Sequence, residues 1–127
     1  MKNRRYIACT YVALLLLTAP LYGEEQTNRD AAIQFYADSV GTECNQEDID
    51  KLGLSKEQCD QRHLDSIERC KVIAATDLPL ELSQVDLGRA MLRFSLCHGM
   101  LIQGQSFDLA AWDPTITEML NKAHEND

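Results

Sequence analysis

The side chains with the widest chemical range in this chain are its cysteines and histidines. Cys59 and His63 stand four residues apart and Cys97 adjoins His98, a set that could offer sulfur and nitrogen to a zinc ion. No two cysteines have the short C-x-x-C spacing of a zinc ribbon. The same absence removes a thioredoxin-type redox centre and a C-x-x-C-H haem attachment site. Of the five cysteines, Cys9 falls in an N-terminal apolar leader. The other four, Cys44, Cys59, Cys70 and Cys97, form an even set, which in an oxidising compartment implies two disulfides. Structural cystines are therefore expected, with no metal and no cofactor.

Asp48, Asp50 and Gly53 match positions 1, 3 and 6 of a calcium-binding helical loop, where carboxylates surround a tight turn. The match then fails, because position 5 is Leu52 and position 12 is Cys59 instead of a bidentate acid. Glu43, Glu47, Asp48 and Asp50 are better read as a solvated acidic face, and as the candidate surface for a basic partner. His63, His98 and His124 could serve as acid, base or ligand. No nucleophile elbow, H-E-x-x-H or glycine-rich phosphate loop accompanies them, so no catalytic residue is assigned. Trp112 with Phe107 could anchor a partner, but a single large aromatic in a small fold is more often core. Met91 and Met100 read as core in the same way.

The elements that must position these groups are helices. Ser55 opens a capping box with Gln58, after which Cys59, His63, Ile67, Cys70 and Ala74 recur every three or four residues. Asp77, Leu78, Pro79 and Leu80 break that pattern, and a second helix is expected from about Ser83 to Gln103. It is apolar nearly all round, as suits a central helix with neighbours on several sides. Asn28 caps an earlier helix that Gly41 ends, and Asn45 opens a short one ending at Gly53. A short segment from Ser106 carries Phe107, Leu109 and Trp112. Asp113 before Pro114 then marks the start of a last helix that ends in a polar tail over 124–127. No alternating strand pattern competes. The fold class is all-α, one domain over 24–127 built as a bundle of four to five helices and braced by two disulfides.

Helical geometry narrows the pairing of the cysteines. Cys59 and Cys70 share one stripe about 16.5 Å apart, beyond the reach of a disulfide. In an antiparallel hairpin turning near Leu78, Cys59 lies 19 positions before the turn and Cys97 19 after it. That favours Cys59 with Cys97 and leaves Cys44 for Cys70; the runner-up joins Cys44 to Cys59 and Cys70 to Cys97.

Lys2, Arg4 and Arg5 precede an apolar run from Tyr6 to Leu17, followed by Thr18, Ala19, Pro20 and Gly23. This is the pattern of a secretory signal peptide over residues 1–23, with cleavage after Gly23. Export to the periplasm or medium is the expectation, with no stable membrane insertion after cleavage. The whole chain carries 12 basic and 20 acidic residues, a net −8, and residues 24–127 carry nine against 20, a net −11. Such a balance excludes a nucleic-acid binder, which needs clustered Lys and Arg against phosphate.

In general plan, its size, leader and cysteines, the chain resembles the small exported helical proteins of Gram-negative bacteria. These include periplasmic immunity proteins of secreted cell-wall toxins and small assembly factors. The resemblance implies action by protein–protein binding, foremost as an inhibitor or immunity-type protein that neutralises a partner enzyme or toxin. The alternative is a chaperone or pilotin-like adaptor of a pilus or secretion system. A small enzyme stands third, requiring His63 or His98 to meet a carboxylate within hydrogen-bond distance.

Overall fold

The computed structural model describes residues 27–126; the leader over 1–23 lies outside them. Five helices follow one another: α1 (Arg29–Ser39), α2 (Gln46–Leu52), α3 (Lys56–Ala75), α4 (Gln84–Ile102) and α5 (Leu109–Glu125). Two-residue strands β1 (Thr27–Asn28) and β2 (Glu81–Leu82) pair antiparallel, Thr27 opposite Leu82. Each helix starts where a short polar side chain accepts an otherwise unmade N–H. Asn28, Asn45, Ser55, Ser83 and Asp108 are the N-caps, and Ser55 with Gln58 and Ser83 with Asp86 make complete capping boxes.

The sequence stripe on α3 is the buried face: Cys59, His63, Ile67, Cys70 and Ala74 are all shielded from solvent. It packs along α4, which also touches α1, α5 and β2 and so occupies the centre. Phe94, Leu82 and Ile116 are fully buried, each removal from water contributing about 1.5–3 kcal/mol. α1 is keyed to α4 by Tyr36, whose ring meets Phe94 edge-on at 5.4 Å and whose hydroxyl hydrogen-bonds Ser95 Oγ at 2.6 Å. Among the described residues no helix is long and apolar enough to cross a membrane.

The disulfides are Cys44–Cys59 and Cys70–Cys97, so the favoured pairing of Cys59 with Cys97 and Cys44 with Cys70 is corrected. The reason lies in the connector. Pro79 cannot continue a helix and pushes Leu78 out of helical geometry. Leu78 and Leu82 are buried, and β2 is held extended against β1. Extended chain advances about 3.3 Å per residue against 1.5 Å in a helix, so the connector runs on before α4 turns back. The reversal therefore falls near Ser83. Arg93 reaches the Thr76 carbonyl at 2.7 Å and Arg62 the Ile102 carbonyl at 3.4 Å, fixing that register. Moving the reversal by about five residues moves the residue opposite Cys97 by about twice that along α3, from Cys59 to Cys70.

Two smaller expectations also change. Asp113 and Pro114 do not begin a helix; both lie inside α5, which starts at Leu109 behind the Asp108 cap and takes in Leu109 and Trp112 of the segment expected from Ser106, while Ser106 and Phe107 precede it. Pro114 falls in the second turn, where its missing N–H costs a single helical bond, to the Ala110 carbonyl. The short β1–β2 bridge carries no alternating pattern because only two residues of each strand take part.

Candidate functional site

α2 is the element that serves its own fold least. None of its seven residues is buried, and a helix this short has no stability of its own in water. It is nonetheless fixed at both ends. Asn45 Oδ1 accepts the Asp48 N–H at 2.8 Å, and Gly53 closes the helix at φ 64°, a left-handed position that suits glycine. The Cys44–Cys59 bridge then ties the entry of α2 to the first turn of α3. The Cys44 N–H donates to Asp60 Oδ1 at 2.8 Å, and Lys56 donates to Asp60 Oδ2 at 2.7 Å. These two donors, Lys56 first, hold the Asp60 carboxyl below the usual carboxylate range.

On this scaffold Glu43, Glu47 and Asp50 are exposed and Asp48 is half-buried. Glu47 and Asp50 lie three residues apart on one side of α2, where Glu47 pairs with Lys51 at 2.8 Å and Asp50 accepts from Gln46. Asp48 projects to another side, about 200° around the axis from Asp50, so the two carboxylates diverge. A calcium loop would need them convergent. Among the described residues no group of three or more His, Cys, Asp or Glu is placed to hold a metal.

The sequence places His63 at the border of the core beside Cys59 and His98 after a half-cystine, and both lie there; what it does not show is that the two rings meet. His63 and His98 come together across the α3–α4 interface, edge to face with ring centroids 4.7 Å apart, and His98 stacks on Phe94 at 5.8 Å. His63 Nδ1 and His98 Nε2 are buried with no hydrogen-bond partner. Among the described residues neither imidazole is hydrogen-bonded to a carboxylate. Burial first, then repulsion from His63, lowers His98 to about 4. The cysteines beside them, Cys59 and Cys97, are consumed in disulfides and have no thiolate for a metal. His124 lies exposed in the last turn of α5.

Phe107 and Trp112 stack at 6.3 Å, both half-buried where α5 begins. Met91 and Met100 are half-buried on α4. The grouping that sequence reasoning missed is Arg93 with Asp113. Arg93, 5% exposed, donates from Nε and Nη2 to the two oxygens of Asp113 at 3.1 and 3.0 Å, and from Nη1 to the Thr76 carbonyl. One guanidinium thus joins α4, α5 and the end of α3. The available signal was an arginine inside an otherwise apolar central helix, a charge that has to be paired where it lies.

No protein-family model, curated protein or solved structure matches this chain.

Proposed function

We propose that this protein is exported, most simply to the periplasm, and acts by binding another protein. Its leading role is that of an inhibitor or immunity-type protein that neutralises a basic partner enzyme or toxin. Two disulfides are the mark of a chain that matures in an oxidising compartment. The observation that carries the binding role is α2, a helix with no buried residue that is nevertheless covalently pinned and capped at both ends. Pinning α2 holds the exposed Glu43, Glu47 and Asp50 in solvent, with the half-buried Asp48 on another side of the helix; this lowers the entropy lost on binding, and their charge steers a basic partner into contact.

The test is capture of the partner from the periplasm, identification by mass spectrometry, and measurement of association rates on the purified pair. The expected outcome is a hydrolase or toxin whose activity is blocked and whose association slows about tenfold or more from low to high salt. The triple variant Glu43→Gln, Asp48→Asn, Asp50→Asn should flatten that dependence. A salt-independent rate, or a partner that binds the triple variant equally fast, overturns the role given to α2.

A second reading, an adaptor for an apolar helix, is favoured by Phe35 and Val72, 78% and 71% exposed on α1 and α3. Val72 also borders a groove of about 490 Å³ between these helices. Strong binding of an environment-sensitive dye by the native protein, abolished in Phe35→Ser and Val72→Ser, would support the adaptor.

A further inference from the structure

We infer that the polar groove between α3 and the Leu101–Gln105 segment is a second binding site, one for a short extended peptide with a free carboxylate. The groove has a volume of about 610 Å³. Leu101 and Ser66, both buried, border it, and the polar side of α3 from Glu57 to Arg69 forms one wall. The opposite wall is fixed by backbone bonds, Gly104 N–H to the Leu101 carbonyl at 3.0 Å and Gln105 N–H to the Met100 carbonyl at 2.9 Å. The site is therefore formed before anything enters it.

Its charge sets it apart. The described part of the protein is strongly acidic, and Arg29, Lys51, Lys56, Lys71, Arg93 and Lys122 all have a carboxylate within 4 Å. Among the described residues the arginines without one are Arg62, Arg69 and Arg89, and Arg89 is occupied by Thr117 Oγ1 at 2.9 Å. Arg62, whose Nη1 also donates to the Ile102 carbonyl at 3.4 Å, and Arg69 both line this groove, two turns apart on α3. Asp65 lies between them in sequence, yet it accepts from Gln61 at 2.9 Å instead of pairing with either. Arg62 rests against the loop where it passes Gly104. A Cβ at that glycine, itself at φ 78°, would lie 3.3 Å from Arg62 Nη1. A guanidinium with no carboxylate of its own is a fork suited to one from outside.

The rest of the lining narrows the ligand. Glu57 and Asp65 repel a polyanion, while Gln105, the Gln58 amide nitrogen and the Gln61 amide oxygen, beyond the bonds Gln58 and Gln61 already make to Ser55 and Asp65, offer donors and acceptors that match a peptide backbone. The thirteen residues from Glu57 to Arg69 span about 18 Å of helix, the length of about five residues of extended chain. A free-ended peptide fits with its carboxylate at the Arg69 end, its chain passing Arg62, and its ammonium toward Glu57. This site is independent of the role given to α2.

The experiment is a titration of the isotopically labelled, disulfide-bonded mature protein, followed by amide NMR shifts. Four probes are used: penta-alanine with free ends, its C-amidated form, an amidated pentapeptide with one internal glutamate, and inorganic phosphate. Saturating shifts confined to the first four turns of α3 and residues 101–105 are expected with the free-ended peptide, and at least tenfold weaker binding with the amidated one. The glutamate peptide distinguishes a side-chain carboxylate from a chain end; binding by either supports the site. The double variant Arg62→Gln, Arg69→Gln should lose the response, and Arg89→Gln should keep it. Absence of saturation with both carboxylate peptides, equal binding of the plain amidated peptide, or phosphate binding as tightly as peptide overturns the inference. The amidated arm decides the matter even if the double variant fails to fold. None of these results bears on α2, whose test uses a different surface and a different partner.

Discussion

Protonating His98 places a cation beside His63 in a half-buried site with no acceptor to receive it. The ring is lowered to about 4 in the fold against an ordinary 6.5, so between those values the unfolded chain binds the proton and the folded one does not. Stability is accordingly expected to fall as pH drops from about 6.5 toward 4. His98→Gln should flatten that slope in denaturant melts; an unchanged slope would show that the pair carries no such linkage. Arg93 and Asp113 offer a second test at this scale. Asp113→Ala leaves a 5% exposed guanidinium without its counter-charge, and should cost about 2–3 kcal/mol, less than the ~3–5 kcal/mol of a fully buried pair because Asp113 is one-third exposed. The double variant Arg93→Met, Asp113→Ala should cost clearly less than the sum of the two single changes. Additive losses would mean that the two residues act separately. The histidine contact was half legible: each ring sits beside a cysteine in the sequence, but only the register of α3 on α4 decides that the rings meet.

The elements were the legible part of this chain. Asn28, Asn45 and Ser55 open the helices they were expected to open, and α4 starts at Ser83 as expected, because capping is decided within four residues and needs no tertiary partner. α5 was misjudged because Pro114 resembles a first-turn proline, while what starts the helix is Asp108 and what holds Asp113 in place is Arg93. The bridges act on different elements and should fail differently. The Cys44–Cys59 loop spans 15 residues and the Cys70–Cys97 loop 27, for which restriction of the unfolded chain gives about 3 and 3.5 kcal/mol. In the variant with both Cys44 and Cys59 changed to Ser, amide exchange should speed up across α2 while α4 stays protected. With both Cys70 and Cys97 changed to Ala, protection should drop across the whole bundle. Equal effects everywhere would remove the distinction between a pinned appendage and a braced core.

At the scale of the molecule, 20 acidic residues against nine basic ones over 24–127 leave a surface that repels itself. Added salt should raise the melting midpoint as this repulsion is screened. A fall instead would mean that exposed pairs such as Lys51–Glu47 and Lys122–Glu118 contribute more than their usual 0–1 kcal/mol. Fold class, helix order and the presence of two bridges could be read from periodicity and cysteine number, since these are properties of composition and local pattern. Which sulfurs join could not, because it depends on how far an extended, proline-led connector travels before α4 returns. The groove bounded by Arg62, Arg69 and Gln105 was hidden for the same reason: its two walls are about 40 residues apart in the chain.

The burial of the bridges has a kinetic consequence. Cys70 and Cys97 are 0% exposed at the heart of the α3–α4 interface, whereas Cys44 and Cys59, 7% and 1% exposed, are covered on one side by α2, a helix with no buried residue of its own. A reductant will therefore cut the two cystines in a fixed order. The outer one goes at the rate of a local breathing motion, and the inner one survives until the whole protein opens, which makes it a clock for that event.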